Sequence, residues 1–122
     1  KVVCLEKKNA RYLESRDINE NIDILLCDAS FISFKKVLDK PIDFLRKDGS
    51  LIGLVKPQFE ARKKEIERGG IVRDKRIHQR ICSDISEWLT NYKKFKVISI
   101  VESPLMGVKG NKEFFIIAVK LA

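Results

Sequence analysis

The chain has 122 residues, enough for one small domain and too few for two halves that each bury a core. Hydrophobic residues make up 44% and charged residues 34%, with 6 Gly and 3 Pro. That composition excludes disordered, collagenous and low-complexity classes, and because the uncharged apolar runs are only strand-sized, no membrane span is available. Twenty-five Lys and Arg against 17 Asp and Glu give +8, which favours polyanionic partners such as RNA, DNA, anionic lipid or the ribosome without choosing among them.

Taken in chain order, the first apolar run is 2–5, Val-Val-Cys-Leu. It follows Lys1 with no signal-peptide pattern, and a chain that opens inside a buried strand reads as part of something longer. The next runs, at 22–27, 51–55 and 114–119, are continuous rather than alternating, as in strands covered on both faces of a largely parallel sheet. A further, less pure run spans 97–101. Between them lie helical patterns. Ser33 caps a helix carrying Phe34, Val37 and Leu38; Pro41 breaks or restarts it; and Asp48-Gly49 makes the turn into the next strand. A longer helix is predicted from Asp74, a good N-cap, to Tyr92, with Ile77, Ile81, Ile85, Trp88, Leu89 and Tyr92 on one face. Lys75, Arg76, Arg80, Glu87 and the single histidine, His78, fall on the polar side.

The alternation predicts an α/β layered fold with a mostly parallel sheet, its last two strands antiparallel at one edge. Cys4, Cys27 and Cys82 are odd in number, widely spaced and set among apolar residues, unlike a disulfide framework or a metal site; a reducing cytoplasm is the simplest setting. One histidine also leaves little basis for a His-based triad or metal centre.

Ligands of open α/β sheets gather outside the carboxyl ends of the strands. Glu6 and Asn9 follow the first strand, Asp28 the second, and Lys56-Pro57-Gln58 the third, while Glu113 precedes the last run and reaches the same edge if that strand is antiparallel. Spacing alone fits an ion-pair cluster closing the sheet edge better than a catalytic set, since structural networks mimic sites. A functional version has definite demands. Lysine takes a proton only when neutral, so its ordinary pKa of about 10.4 must fall through desolvation or a nearby cation, and two carboxylates act the other way.

From 56 to 80 there are nine Lys or Arg against four acids, +5 of the total +8. Arg62, Lys63, Lys64, Arg68 and Arg73 form either a solvated mobile loop hinged at Gly69-Gly70 or a surface for an RNA phosphate backbone. Phe31 and Phe59 stand three residues after Asp28 and Lys56, as packing or as base and ribose contacts. Neither GxGxxG nor GxxxxGK[ST] occurs.

Five ordered blocks then carry a resemblance: Glu-Lys-Lys-Asn-Ala-Arg-Tyr-Leu at 6–13, Cys-Asp-Ala-Ser-Phe-Ile-Ser at 27–33, Val-Lys-Pro-Gln-Phe-Glu at 55–60, Gly-Gly-Ile-Val-Arg-Asp at 69–74 and Gly-Asn-Lys-Glu-Phe at 110–114. Together they resemble the methyltransferase domain of the hemolysin A family, which joins an S4-type RNA-binding domain to an FtsJ-like ribose 2′-O-methyltransferase. The resemblance implies a Rossmann-like S-adenosylmethionine-dependent fold over 1–122, represented from its third strand to its last. The first two strands, the glycine-rich loop, the first tetrad lysine and the S4 domain lie upstream of Lys1. It implies Asp28, Lys56 and Glu113 as catalytic residues, with Lys56 as base for a ribose 2′-hydroxyl, and Asn9 and Asp28 as cofactor contacts. Ribosomal RNA or a ribosomal subunit is the implied partner.

Two expectations follow from the missing strands. The strand at 2–5 should lack a sheet neighbour, and the chain alone should neither bind S-adenosylmethionine usefully nor transfer methyl groups. The alternative reading is a non-catalytic RNA- or ribosome-binding module in which the tetrad is vestigial. Membrane lysis, which the family's name suggests, finds no interfacial amphipathic helix to support it.

Overall fold

The computed structural model describes residues 2–5 and 22–122. Glu6 and Asn9 lie outside the described residues. Five strands, β1 (Val2–Leu5), β2 (Ile22–Cys27), β3 (Leu45–Val55), β4 (Phe95–Glu102) and β5 (Phe114–Lys120), form one sheet in the order β1-β2-β3-β5-β4. Two helices, α1 (Phe34–Leu38) and α2 (Lys75–Asn91), complete a mixed α/β architecture. β1, β2 and β3 run parallel, and β5 is antiparallel to both β3 and β4.

One expectation is overturned at the first strand. β1 has a neighbour, pairing with β2 in a register from Val2↔Ile24 to Leu5↔Cys27. The free edge of β2 presents a row of N–H and C=O groups, and a strand laid along it satisfies them. The antiparallel pairing of the last two strands is as expected, running from Phe95↔Lys120 to Glu102↔Phe114 with a shift between Val97 and Ser99.

Leu25 and Cys27 of β2, Leu51 and Val55 of β3, and Ile116 and Ala118 of β5 form one buried cluster with Phe34, Val37 and Leu38 of α1 and Ile81, Ile85 and Leu89 of α2. The alternate residues Ile52, Leu54, Ile117 and Val119 are only half-buried. The apolar runs therefore read as two-sided, whereas both described helices pack into a single core on one face. Gly53 belongs to that packing, because a Cβ there would lie 2.4 Å from the Phe34 ring.

α2 begins where Asp74 accepts the Arg76 backbone N–H at 2.8 Å. Its buried stripe is His78, Ile81, Ile85 and Leu89, at spacings of three and four. His78 is thus a core residue rather than a polar-face one: the stripe runs through it, and its Nε2–H donates to the Val72 carbonyl at 2.7 Å. Tyr92 leaves the stripe because the helix ends there, and it is 77% exposed. Asp48-Gly49 lies within β3 rather than ahead of it. Ile22 pairs with Leu45 and Ile24 with Ser50, so the extra residues bulge out, with Asp48 at φ 66°.

Ser33 caps α1 as expected, accepting the Lys36 N–H at 3.4 Å, and the Glu60 carboxylate reaches across to accept the Phe34 N–H. Burial pushes the Glu60 carboxyl from 4.5 up to about 7, against the Phe34 hydrogen bond and the Lys35 charge, which pull it down. The folded protein therefore holds this proton more tightly than the unfolded chain. Its contribution to stability is complete below about pH 4.5 and is lost as pH rises through about 7. In urea titrations Glu60→Gln, which keeps the acceptor, should remove that decline and be more stable than the parent at pH 8 by about 1–3 kcal/mol. Parallel pH profiles for the two proteins would refute the assignment.

Candidate active site at the carboxyl rim of the sheet

Parallel strands discharge their following residues at one edge, and here that edge collects the polar set. Asp28 is the first residue beyond β2 and Lys56 the first beyond β3. Because Val55 pairs antiparallel with Phe114, Glu113 enters β5 at the same edge beside Lys56. Lys56 Nζ lies 2.5 Å from Asp28 Oδ1 and donates to Ser30 Oγ at 3.0 Å. The lysine side chain is 12% exposed and the aspartate 58%, so a nearly buried ammonium faces a carboxylate open to solvent.

Glu113 is buried, and its Oε2 accepts the Gln58 Nε2–H at 3.0 Å. The other amide atom, Gln58 Oε1, is buried without a hydrogen-bond partner among the described residues. Behind the carboxylate stands Gly107, where an added Cβ would lie 2.1 Å from Glu113 Oε2. A side chain at 107 would press on the buried carboxylate where it now lies. Gly107 N–H donates to the Asn111 carbonyl at 2.7 Å, and Ser103 N–H to the Glu113 carbonyl at 2.8 Å, closing the 103–113 segment onto itself. The rim thus brings Asp28, Lys56 and Glu113 together as two linked pairs, Asp28 with Lys56 and Gln58 with Glu113, joined through Lys56-Pro57-Gln58.

Phe31 stands beside this rim. It is 89% exposed, holds a left-handed backbone at φ 65°, and meets the Phe59 ring at 5.0 Å and 52°. A bulky residue at positive φ is strained, and an exposed phenyl gains little from burial. Packing alone therefore does not account for its placement.

The basic segment is anchored at several points. Asn111 is buried and bonds to Val72 N–H and Gly70 C=O at 2.9 Å each; His78 holds the Val72 carbonyl; and Arg80 pairs with Glu65, lowering its carboxyl to about 2. Gly69-Gly70 closes a tight turn, both residues at positive φ, with Gly70 N–H donating to Glu67 C=O at 2.9 Å and Glu67 bridged to Ile71. Arg62, Lys63, Lys64, Arg68 and Arg73 point their exposed side chains from this anchored segment, and Arg73 makes only a 3.5 Å pair with Glu67.

Asn9 falls outside the described residues, and Asp28 stands at the rim paired with Lys56. Sequence reasoning missed Ser30, Gln58 and Gly107 as site residues. Ser30 and Gln58 lay within the strand-end segments already singled out, where a polar residue two positions after a charged one was the signal. Gly107 had none, since its role is steric.

Comparison with known proteins follows the same lines. Residues 1–120 match the family of FtsJ-like methyltransferases. The 16S/23S rRNA (cytidine-2′-O)-methyltransferase TlyA of Mycobacterium tuberculosis is 34% identical over 116 residues, covering 95% of this chain and 43% of the relative. Hemolysin A of Brachyspira hyodysenteriae is 31% identical, covering 93% of this chain and 48% of its own length. The chain thus spans less than half of these curated relatives. Among solved structures, a candidate hemolysin from Streptococcus thermophilus superposes with a TM-score of 0.86 at 34% identity, over 93% of this chain and 41% of that one. A second, from Lactococcus lactis, gives 0.84 at 30% identity over 94% and 57%. With the family match running through nearly every described element, from β1 to the end of β5, the chain belongs to the FtsJ-like methyltransferase family.

Proposed function

We propose that this chain is the catalytic-rim portion of an S-adenosylmethionine-dependent ribose 2′-O-methyltransferase acting on ribosomal RNA in the cytoplasm, within an incomplete Rossmann-like fold. The observation that carries this is the meeting of Asp28, Lys56 and Glu113 on one edge in a chain of this family. Asp28 and Ser30 aim Nζ, and Gln58 holds the Glu113 carboxylate at the same edge of the sheet. The two carboxylates give the triad a net charge of −1, a set that fits a sulfonium cation. S-adenosylmethionine, when bound, supplies the electrophilic methyl group. The residues' own contribution is orientation of the hydroxyl and management of its proton. Phe31, exposed beside the pair, offers a face to the base or ribose.

The decisive experiment places residues 1–122 in the matching segment of the Mycobacterium tuberculosis relative and follows methyl transfer to ribosomal RNA. Lys56→Ala in that chimera should abolish transfer while circular dichroism stays unchanged; retained turnover refutes the role. The 122 residues contain no glycine-rich strand-to-helix turn, so calorimetry on this chain alone should show no micromolar binding of S-adenosylmethionine. Such binding would overturn the expectation that it is inactive by itself.

The second reading, an RNA-binding module without chemistry, draws on the anchored basic segment and on Lys56 being already paired with Asp28. It separates cleanly from the first. Reversing Arg62, Lys63 and Lys64 to Glu should lower the slope of log affinity against log salt for single-stranded RNA by about 2 under either reading. Only the module reading leaves biological activity intact in Lys56→Ala.

A further inference from the structure

A groove of about 370 Å³ opens between the first half of α2 and the strand pair β4–β5, apart from the Asp28–Lys56 pair. Its inner wall is His78, Cys82, Ile100 and Phe114, with the His78 and Phe114 rings 5.5 Å apart. Lys75, Glu102 and Lys112 stand at its mouth, where Lys112 Nζ lies 3.7 Å from Glu102 Oε1.

Position comes first. Lys112 and Phe114 flank Glu113 in the chain, and Glu102 pairs with Phe114, so the groove opens on the rim that holds Lys56. β3 and β4 are separated by β5 alone, two strand spacings or about 10 Å. An RNA chain laid along the rim with one ribose at Lys56 therefore passes the groove with an adjacent nucleotide.

Chemistry narrows the occupant. Two lysines and one carboxylate leave the mouth at +1, the complement of a single phosphodiester, and Lys75 sits in the first turn of α2 where the helix dipole also favours an anion. A divalent cation is disfavoured by the same lysines. Phe114, Ile100 and Cys82 give the wall an apolar face of a size to take a base, beside the polar groups of His78 and Gln79. Glu102 accepts hydrogen bonds only, so it suits a base edge carrying N–H donors. Burial pushes the Cys82 thiol up to about 11, which makes it a neutral part of the wall at physiological pH rather than a nucleophile.

We propose that this groove is a subsite for a nucleotide adjoining the one presented to Lys56, its base against Phe114 and Ile100 and its phosphate between Lys75 and Lys112. The subsite rests on the RNA methyltransferase reading above for its substrate.

The test is a titration of the ¹⁵N-labelled chain with a single-stranded hexaribonucleotide, followed by amide shifts, with a linear polyphosphate of equal charge as control. Saturable shifts at Cys82, Ile100 and Phe114 with RNA but not with polyphosphate support the subsite, as does a loss of affinity of about tenfold in Lys75→Glu or Lys112→Glu. Shifts confined to residues 61–73, equal shifts from polyphosphate, or unchanged affinity in both exposed-lysine variants overturn it. A chimera that transfers methyl groups while the groove amides stay silent removes the subsite and leaves the transferase reading standing. Groove shifts alongside an inactive chimera support the subsite and remove the transferase.

Discussion

Everything at the rim depends on the direction of β5. β2, β3 and β4 all point their carboxyl ends at one edge, and β5, antiparallel between β3 and β4, begins there. Residues leaving three strands and residues entering the fourth are thereby collected in one place: Asp28, Lys56, Glu102 and Glu113. Had the seven residues of β5 run the other way, Glu113 would lie at the opposite edge, about 20 Å from Lys56. Register is held as firmly as direction. Ile116 and Ala118 are fully buried while Phe115 is exposed, so a slip of one residue would turn the core side chains outward and carry Glu113 away from Gln58.

Within that frame, electrostatics explains why the charged groups sit as they do. A lysine only 12% exposed needs compensation, and Asp28 and Ser30 provide it. Glu113, buried, is compensated by a neutral amide rather than by the ammonium, which leaves the triad's excess negative charge undischarged. Asp28 faces solvent, so that charge is open to whatever cation approaches from the rim. The orphaned Gln58 Oε1 belongs to the same arrangement. The amide turns its N–H toward Glu113, and its carbonyl has no partner among the described residues.

Much of this was legible in the sequence because strand ends announce themselves. A continuous apolar run followed at once by a charged residue marks Asp28 and Lys56, and the antiparallel last strand follows from the short 102–111 connection. What was not legible depends on contacts between distant segments. His78 looks polar by residue type, and only the Val72 carbonyl, six residues away on another segment, makes it a core residue. Tyr92 follows the periodicity but falls where the helix has ended. Asp48-Gly49 reads as a turn, yet pairing with β2 draws it into β3 as a bulge. The pairing of β1 is a property of the free edge of β2, not of the sequence of β1.

The basic segment and the buried acid share one support. Asn111 holds the 70–72 backbone through both ends of its side-chain amide, while its own carbonyl receives the N–H of Gly107, the residue whose missing Cβ makes room for Glu113. Displacing the segment that carries Arg68 and Arg73 would break buried hydrogen bonds at Asn111, two residues from the rim. Under the proposed function, a phosphate backbone on those arginines would therefore be held at a fixed distance from Lys56. For the proposed transfer, which requires a hydroxyl aligned with a methyl group, that rigidity would matter more than the number of contacts, because an ångström of misplacement is enough to lose about a hundredfold in rate. Asn111 ties the segment that would bind phosphate to the residue that would orient the hydroxyl, so neither can shift without straining the other.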